Sequence, residues 1–129
     1  MKRKVDWLQR VADVQGEHTV RTLVEKCHAT ARAKGWHDGA DPKDPRQVLA
    51  WLALIHSEVS EATEDVRTNR MEATTRADGK PEGFPSELAD VVIRCFDVAG
   101  ALGIDLEAAI LGKMAFNETR PHRHGGKVA

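Results

Sequence analysis

Residues 48–66 read VLAWLALIHSEVSEATEDV, and this stretch decides the fold. Its apolar residues are separated by alternating steps of four and three, the repeat of one face of an α-helix about five turns long. They are Val48, Leu52, Ile55, Val59, Ala62 and Val66. Just before them, Asp44 is suited to the N-cap and Pro45 to the first helical position. Gln47 is placed to complete a capping box with Asp44. We therefore predict a long helix that begins at residue 45.

Helical spacing continues on both sides of this stretch, and no strand pattern competes with it. A short leading helix is predicted over Trp7, Leu8, Val11 and Val14 and ends at Gly16, and a second helix runs from Val20 to a C-cap at Gly35. After the long helix, another helix is predicted from Pro85 or Ser86 to Gly103. The last predicted helix is capped by Asp105 and runs from Leu106 to about Thr119. Residues 121–129 hold two Gly and several charged residues, so they predict a flexible tail. The chain is predicted to be one all-α domain over residues 1–129.

Two segments between the predicted helices have no helical period. Residues 36–43, with Gly39 and Pro42, predict a loop. Residues 68–84 form a longer aperiodic connection, and connections of this length in a compact domain are usually functional or mobile. A lid over a site is one interpretation of the second segment.

Composition narrows the class of protein. The 129 residues carry 19 basic and 20 acidic side chains, a net charge of -1, which argues against broad electrostatic capture of nucleic acid. Residues 1–4 are basic but precede polar residues, which is not the pattern of a signal peptide, and no apolar run approaches the ~18 residues of a membrane span. Cys27 and Cys95 lie on apolar stripes without metal-ligand spacing, so we expect reduced, buried thiols in a cytoplasmic protein.

A chain with 41% hydrophobic but only 5% aromatic residues buries a modest core when it folds alone. Apolar surface would then remain for another subunit. We therefore expect a homo-oligomer.

Two pairs of acidic residues predict a metal site. Glu58 and Glu61 lie three residues apart, as do Glu87 and Asp90, so each pair shares one helix face. Antiparallel packing would bring four carboxylates together, and oxygen ligands of this kind suit Mg²⁺ or Mn²⁺. The alternative is a solvated helix face and acidic residues at a helix N-terminus. A di-iron centre is disfavoured, because His56 precedes Glu58 and does not follow a glutamate by three residues.

A basic and polar stripe predicts a phosphate-binding surface. Lys113, Asn117 and Arg120 are spaced by four and then three residues on the last predicted helix, and Lys127 adds a charge in the tail. The alternatives are cations that cap a helix end and a frayed terminus. Gly112 in the same helix predicts either close packing or a close approach of a functional group.

Tryptophan supplies a candidate surface for a nucleobase. Trp36 lies in a loop, outside every apolar stripe, and is a candidate for stacking on a base. Trp51 lies on the long helix, where a tryptophan more often belongs to the core.

These residues resemble those of the MazG-like all-α nucleotide pyrophosphatases, a superfamily that also contains dimeric dUTPases and phosphoribosyl-ATP pyrophosphatase. The likeness is carried by the motif Glu58-x-x-Glu61, a gap, then Glu87-x-x-Asp90, in the contexts ALIHSE (residues 53–58) and ELADVVIR (residues 87–94). The ending KMAFNETRPHRHGGK (residues 113–127) is similar to that of short members. The resemblance covers roughly residues 29–127.

The resemblance implies a bundle of four to five helices that is completed by dimerisation, sometimes to a tetramer. It also implies that Glu58, Glu61, Glu87 and Asp90 hold Mg²⁺, with Mn²⁺ as a substitute, and catalyse the hydrolysis of a nucleoside triphosphate to the monophosphate and pyrophosphate in nucleotide-pool housekeeping. Trp36, Lys113, Asn117, Arg120 and Lys127 would bind the substrate. Many relatives have a second Glu where this chain has Ser57, which leaves the number of metal ions open.

Two alternatives accompany this function. One is a phosphoribosyl-ATP or dUTP pyrophosphatase within the same superfamily. The other is a non-catalytic helical module that dimerises and uses its acidic stripe only for solubility.

Overall fold

The computed structural model describes residues 18–129 and is built mainly of α-helices. The helices are α1 (Val20–Ala33), α2 (Pro45–Arg67), α3 (Phe84–Leu102), α4 (Leu106–Glu118) and a single turn, α5 (Arg123–Gly126), and two short strands are β1 (Thr74–Thr75) and β2 (Pro81–Glu82). The predicted all-α class is confirmed. The predicted leading helix over Trp7 to Val14 lies outside the described residues.

The start of α2 follows the sequence signals closely. Asp44 is the N-cap, its carboxylate accepts the N–H of Arg46 at 2.9 Å, and Pro45 is the first helical residue. The carboxylate bonds to Arg46 and not to Gln47, so the expected capping box is replaced by a simpler cap. Gly35 follows the end of α1 with a φ of +84°, a conformation that glycine adopts without strain.

The buried face of α2 differs from the predicted one. The buried residues are Trp51, Glu58, Ala62 and Asp65, whereas Val59 and Val66 are almost half exposed. The helix is therefore rotated so that its carboxylates, and not its full apolar stripe, face α3. Within residues 18–129, Leu52, Val59 and Val66 of the apolar stripe remain partly exposed, whereas Ala62 is buried.

Glycines set both ends of α3. Gly83, at the N-cap, has a φ of +95°, and a Cβ built there would lie 2.1 Å from the carbonyl oxygen of Glu72. Gly103 ends the helix with a φ of +64°, as predicted. Asp105 then caps α4 by accepting the N–H of Ala108 at 3.1 Å. That hydrogen bond, together with Arg21, holds the pKa of Asp105 below its ordinary value.

The sequence predicted an aperiodic connection over residues 68–84, but this segment contains a small hairpin. Thr74 and Thr75 pair antiparallel with Glu82 and Pro81 to form a small hairpin. In its turn, the N–H of Gly79 donates a hydrogen bond to the carbonyl oxygen of Arg76, and Gly79 has a φ of +87°. The Asp78-Gly79 pair is a turn signal, but strands of two residues are too short to show a period.

Helix α3 is the centre of the bundle, because α1 and α2 both pack against it, while α4 packs on α1. From residue 18 onward the buried apolar residues are few, namely Val24, Trp51, Ala62 and Ala99. Many large apolar side chains remain exposed, among them Leu52, Val59, Val66, Leu88 and Val92. The described part of the chain thus leaves apolar faces uncovered.

The two cysteines are free thiols, as predicted, but they are half-buried and not fully buried. Burial and the nearby carboxylate of Asp97 raise the pKa of the Cys27 thiol. No helix between residues 18 and 129 combines the length and the hydropathy that a membrane span requires.

Candidate metal centre and adjoining cavity

The packing of α2 against α3 brings acidic residues from the two helices together. Glu58 and Glu61 from α2 and Glu87 from α3 each place a carboxylate oxygen within 4.8 Å of the others. Glu58 is buried, and Glu87 is half-buried. The structure therefore assembles three of the four predicted metal ligands in one cluster.

Asp90, the fourth predicted ligand, lies in the same electrostatic environment. Burial raises its pKa first, and the charges of Glu58 and Glu61 raise it further, whereas Arg94 and Lys80 lower it. Asp90 therefore faces the same carboxylates from α3. Lys80 also places the hairpin near this cluster.

Among the described acidic residues, Glu87 has the pKa that departs furthest from its ordinary value. Burial, a hydrogen bond to Glu61 and the charges of Glu61, Asp90 and Asp65 raise its pKa from 4.5 to about 7. Its Oε2 atom is buried and has no hydrogen-bond partner. A buried carboxylate oxygen without a donor is costly, and here it lies among other acceptors.

Arg94 is a member of the site that the sequence did not single out. It lies one turn after Asp90 on α3, and its Nε donates to Oε1 of Glu58. Glu58 is therefore the one carboxylate of the four for which the structure provides a close cationic partner among the described residues.

Asp65 is a second member that sequence reasoning missed. It is 5% exposed, one oxygen pairs with Arg70 at 2.8 Å, and the other has no hydrogen-bond partner. Its negative charge helps to raise the pKa of Glu87. The signal was present, because Asp65 follows Glu61 by four residues and Glu58 by seven and so lies on the same helix face.

The residues present fit a hard divalent cation. The donors are all carboxylate oxygens, as Mg²⁺ and Mn²⁺ prefer. Three carboxylates lie within reach of one ion, and the orphaned oxygen of Glu87 lies among them. A cation bound here would offset the repulsion that raises the pKa of Glu87.

A cavity of about 490 Å³ opens beside the carboxylates. Its walls come from α1, α2, α3 and the loop after α1, and they are largely apolar. The lining includes Leu23, Cys27, Trp36, Trp51, Leu54, Glu58, Asp90, Ile93, Arg94 and Asp97. Both candidate tryptophans therefore border the same cavity. Trp36 is 72% exposed, whereas Trp51 is buried and is also a core residue.

The basic stripe is not part of this cavity lining. Lys113 and Asn117 lie on α4, Arg120 follows its end, and Lys127 lies in the tail. The cationic groups of Lys113 and Arg120 lie 5.6 and 5.8 Å from the ring of Phe116. The helix that carries the stripe packs on α1.

We compared the chain with protein-family models, curated proteins and solved structures, and nothing matched it.

Proposed function

We propose that this protein is a Mg²⁺-dependent nucleoside triphosphate pyrophosphohydrolase that converts a (deoxy)nucleoside triphosphate and water to the monophosphate and pyrophosphate. The observation that carries the proposal is the cluster of Glu58, Glu61 and Glu87, with Asp90 beside it, at the edge of a cavity that Trp36 and Trp51 border. A site for a metal ion and a site for a base then adjoin, as a nucleotide substrate requires. The resemblance to MazG-like enzymes points to the same reaction.

In this proposal the four acidic residues hold Mg²⁺, for which Mn²⁺ can substitute. Bound there, the ion would supply charge neutralisation on the phosphate oxygens and polarisation of their bonds to phosphorus. The protein's own side chains position the substrate. Arg94 and Lys80, which both act electrostatically on Asp90, provide positive charge beside the phosphate chain.

Trp36 and Trp51 are proposed to receive the base. The cavity is apolar on most of its surface and is large enough for a base and sugar. Trp36 can stack on a base while it keeps one face in solvent, and Trp51 forms an inner wall.

Lys113, Asn117, Arg120 and Lys127 are proposed to bind the phosphate chain. This role requires α4 and the tail to approach the carboxylates, or two subunits to share a site. Guanidinium and ammonium groups suit phosphate oxygens.

We further propose that the protein is a homodimer or a homotetramer. Leu52, Val59 and Val66 repeat every seven residues on the exposed face of α2, and Leu88 on α3 is half exposed. Contiguous apolar faces of this kind usually mark an interface. Light scattering should give at least a dimer at micromolar concentration, and Val59→Lys should weaken it. A stable wild-type monomer would contradict this proposal.

The activity is tested with a panel of nucleoside triphosphates, assayed for pyrophosphate and, separately, for orthophosphate. We expect pyrophosphate from at least one substrate with Mg²⁺ and none with EDTA. Glu61→Gln and Glu87→Gln should each lower the rate by roughly a hundredfold or more, since each removes a proposed ligand. The matched control is Glu64→Gln, on the same helix but exposed and paired with Arg67.

Two outcomes would reject the proposal. Equal turnover with and without divalent metal would exclude the metal-dependent mechanism. Absence of both turnover and saturable Mg²⁺ binding would favour the non-catalytic module instead.

A further inference from the structure

A second cluster of ligand-forming side chains lies where α1, the loop after it and α3 meet. Nδ1 of His28 lies 2.9 Å from Oδ1 of Asp97, and Nε2 of His37 lies 2.8 Å from the same oxygen and 2.9 Å from Oδ2. The three side chains are only 13–21% exposed. Two histidines nine residues apart thus converge on a carboxylate that lies 60 or more residues further along the chain.

The backbone is shaped to allow this convergence. Gly100 follows Asp97 by one turn on α3, and a Cβ built on it would lie 2.5 Å from the Cβ of His28. Any larger residue at 100 would push α1, and His28 with it, away from Asp97. Gly35 and Gly39, with φ values of +84° and +71°, return the loop so that His37 faces the same point.

The rings of the two histidines are arranged around Asp97 and are not stacked on one another. Their centroids are 4.8 Å apart at an interplanar angle of 78°, and His37 also contacts the ring of Trp51 at 5.3 Å. The ring of Trp51 is tilted by 60° from that of His37 and packs beside it. Both ring nitrogens therefore point at Asp97 from different directions.

These distances match the edge of a coordination shell. Ligand nitrogens and oxygens lie about 2.0–2.2 Å from Zn²⁺, so two ligands at a right angle are roughly 3 Å apart. One ligand atom from each residue lies within 4.8 Å of the others. An ion at this point would displace the hydrogen bonds to Asp97, and each imidazole would carry its proton on its other nitrogen.

The donor set is chemically unlike that of the acidic cluster. Two imidazole nitrogens and one carboxylate favour Zn²⁺, Ni²⁺, Co²⁺ or Fe²⁺, whereas carboxylates alone favour Mg²⁺ and Mn²⁺. Asp97 also lines the cavity, which gives an ion a path from solvent and leaves room for water or a ligand atom at the remaining positions.

We propose that His28, His37 and Asp97 form a transition-metal site that is separate from the acidic site and links α1, the following loop and α3. Neither its existence nor its test depends on the proposed pyrophosphohydrolase activity. A structural tie made only of hydrogen bonds is the competing account, and the experiment distinguishes the two.

The test is a titration of the full chain with Co²⁺ or Zn²⁺ in excess Mg²⁺. Calorimetry measures the binding of both ions, and the visible spectrum of Co²⁺ reports its ligands. The informative variants are His28→Asn and His37→Gln, because the amide nitrogens replace Nδ1 and Nε2 as donors to Asp97 but are poor ligands for these ions. We expect one tight equivalent in the wild type and a loss of roughly a hundredfold or more in each variant.

Two controls separate this site from others in the described chain. Glu61→Gln removes a proposed ligand of the acidic cluster, and a double change of His122 and His124 to Gln removes exposed tail histidines. Neither control should lower the affinity. Circular dichroism establishes that each variant is folded.

A measurement on the wild type alone completes the test. In long-range proton–nitrogen spectra, Zn²⁺ should move Nδ1 of His28 and Nε2 of His37 into the range of ligated nitrogen, with the opposite nitrogen of each ring protonated. Unchanged resonances of these rings, or equal affinity in the Asn and Gln variants, would overturn the proposal and leave the hydrogen-bonded tie.

Discussion

Arg94 on α3 donates from Nε to the carboxylate of Glu58 on α2, one turn from Asp90. The Arg94 side chain is 37% exposed and that of Glu58 is 11% exposed. In the protein without metal, Glu58 is therefore already neutralised, whereas Glu87 faces mainly other carboxylates. The four acidic residues are not equivalent, although the sequence presents them as two similar pairs.

Replacement of Arg94 with Gln should tighten Mg²⁺ binding and lower the stability of the metal-free protein. A cation that competes for Glu58 is removed, and the loss of one nearby charge at a partly exposed site should raise affinity roughly tenfold after screening. Calorimetry measures the affinity, and thermal unfolding in EDTA measures the stability. Arg67→Gln is the control, since Arg67 pairs with the exposed Glu64 and should leave both unchanged. Weaker Mg²⁺ binding in Arg94→Gln would show that Arg94 supports the site.

Replacement of Glu58 with Gln should destabilise the metal-free protein, unlike replacement of the other three acids. The change removes the negative charge that faces the guanidinium of Arg94, which is 37% exposed, so the expected cost after solvent screening is about 1 kcal/mol. Glu87→Gln instead relieves repulsion and should be neutral or stabilising. Urea unfolding in EDTA compares the two, and equal effects in both variants would contradict the asymmetry.

The stability of the metal-free protein should fall as the pH rises toward 8. The pKa of Glu87 is about 7 in the folded protein against an ordinary 4.5, so the folded state holds this proton more tightly than the unfolded state. The corresponding stability is complete below pH 4.5 and is lost as the pH rises through 7. Thermal unfolding in EDTA from pH 5 to 8 measures this slope, which Glu87→Gln should flatten and Mg²⁺ should remove. A wild-type slope as flat as that of the variant would exclude Glu87 as its source.

The sequence predicted the helices well because their ends carry local signals. Asp44, Asp105 and Gly103 act through hydrogen bonds and backbone conformations within one turn of their positions. The hairpin at 74–82 was missed because strands of two residues show no alternation. Helical spacing is also why the sequence could place Glu58, Glu61, Glu87 and Asp90 on two helix faces, and their role as metal ligands stays a prediction.

What sequence reasoning missed depends on helix rotation and on contacts between distant segments. The rotation that buries Asp65 and exposes Val59 follows from how α2 packs against α3, which periodicity alone does not give. His28, His37 and Asp97 have no common spacing at all. Their convergence requires the close approach of α1 and α3 at Gly100. A single glycine within a helix is not enough to predict such a contact from the sequence.

Gly112 bears on the two interpretations of its position in α4. A Cβ built there has no atom within 4 Å, so close packing within the described chain does not explain it. Gly112→Ala should therefore stabilise the chain by about 1 kcal/mol through helix propensity, as measured by urea unfolding, with activity and oligomeric state unchanged. A change in subunit number or a loss of substrate affinity would instead place this helix face against another subunit or the substrate.

The tail is tested by deletion of residues 122–129. If Lys127 binds the phosphate chain, the truncated protein should keep its oligomeric state and lose affinity for the nucleotide by roughly tenfold, the effect of one charge-assisted contact. Unchanged kinetics would remove the tail from the proposed substrate site.

Arg120 distinguishes a phosphate ligand from a side chain that only stabilises the end of α4. The structural account is specific, because its guanidinium lies 5.8 Å from the Phe116 ring and a cation near a helix C-terminus stabilises it by ~0.3–1 kcal/mol. If that is its role, Arg120→Ala and Phe116→Leu should each lower the melting temperature slightly, and the effect of the double variant should be less than additive. The kinetics should not change.

A phosphate ligand behaves differently: Arg120→Ala should lower kcat/KM by roughly tenfold to a hundredfold with little thermal effect, and Phe116→Leu should not reproduce this loss. Arg120→Lys should restore only part of the activity, because an ammonium lacks the planar pair of donors that binds two phosphate oxygens. Full activity in Arg120→Ala would confine the substrate contacts to the carboxylates and the cavity between α1, α2 and α3.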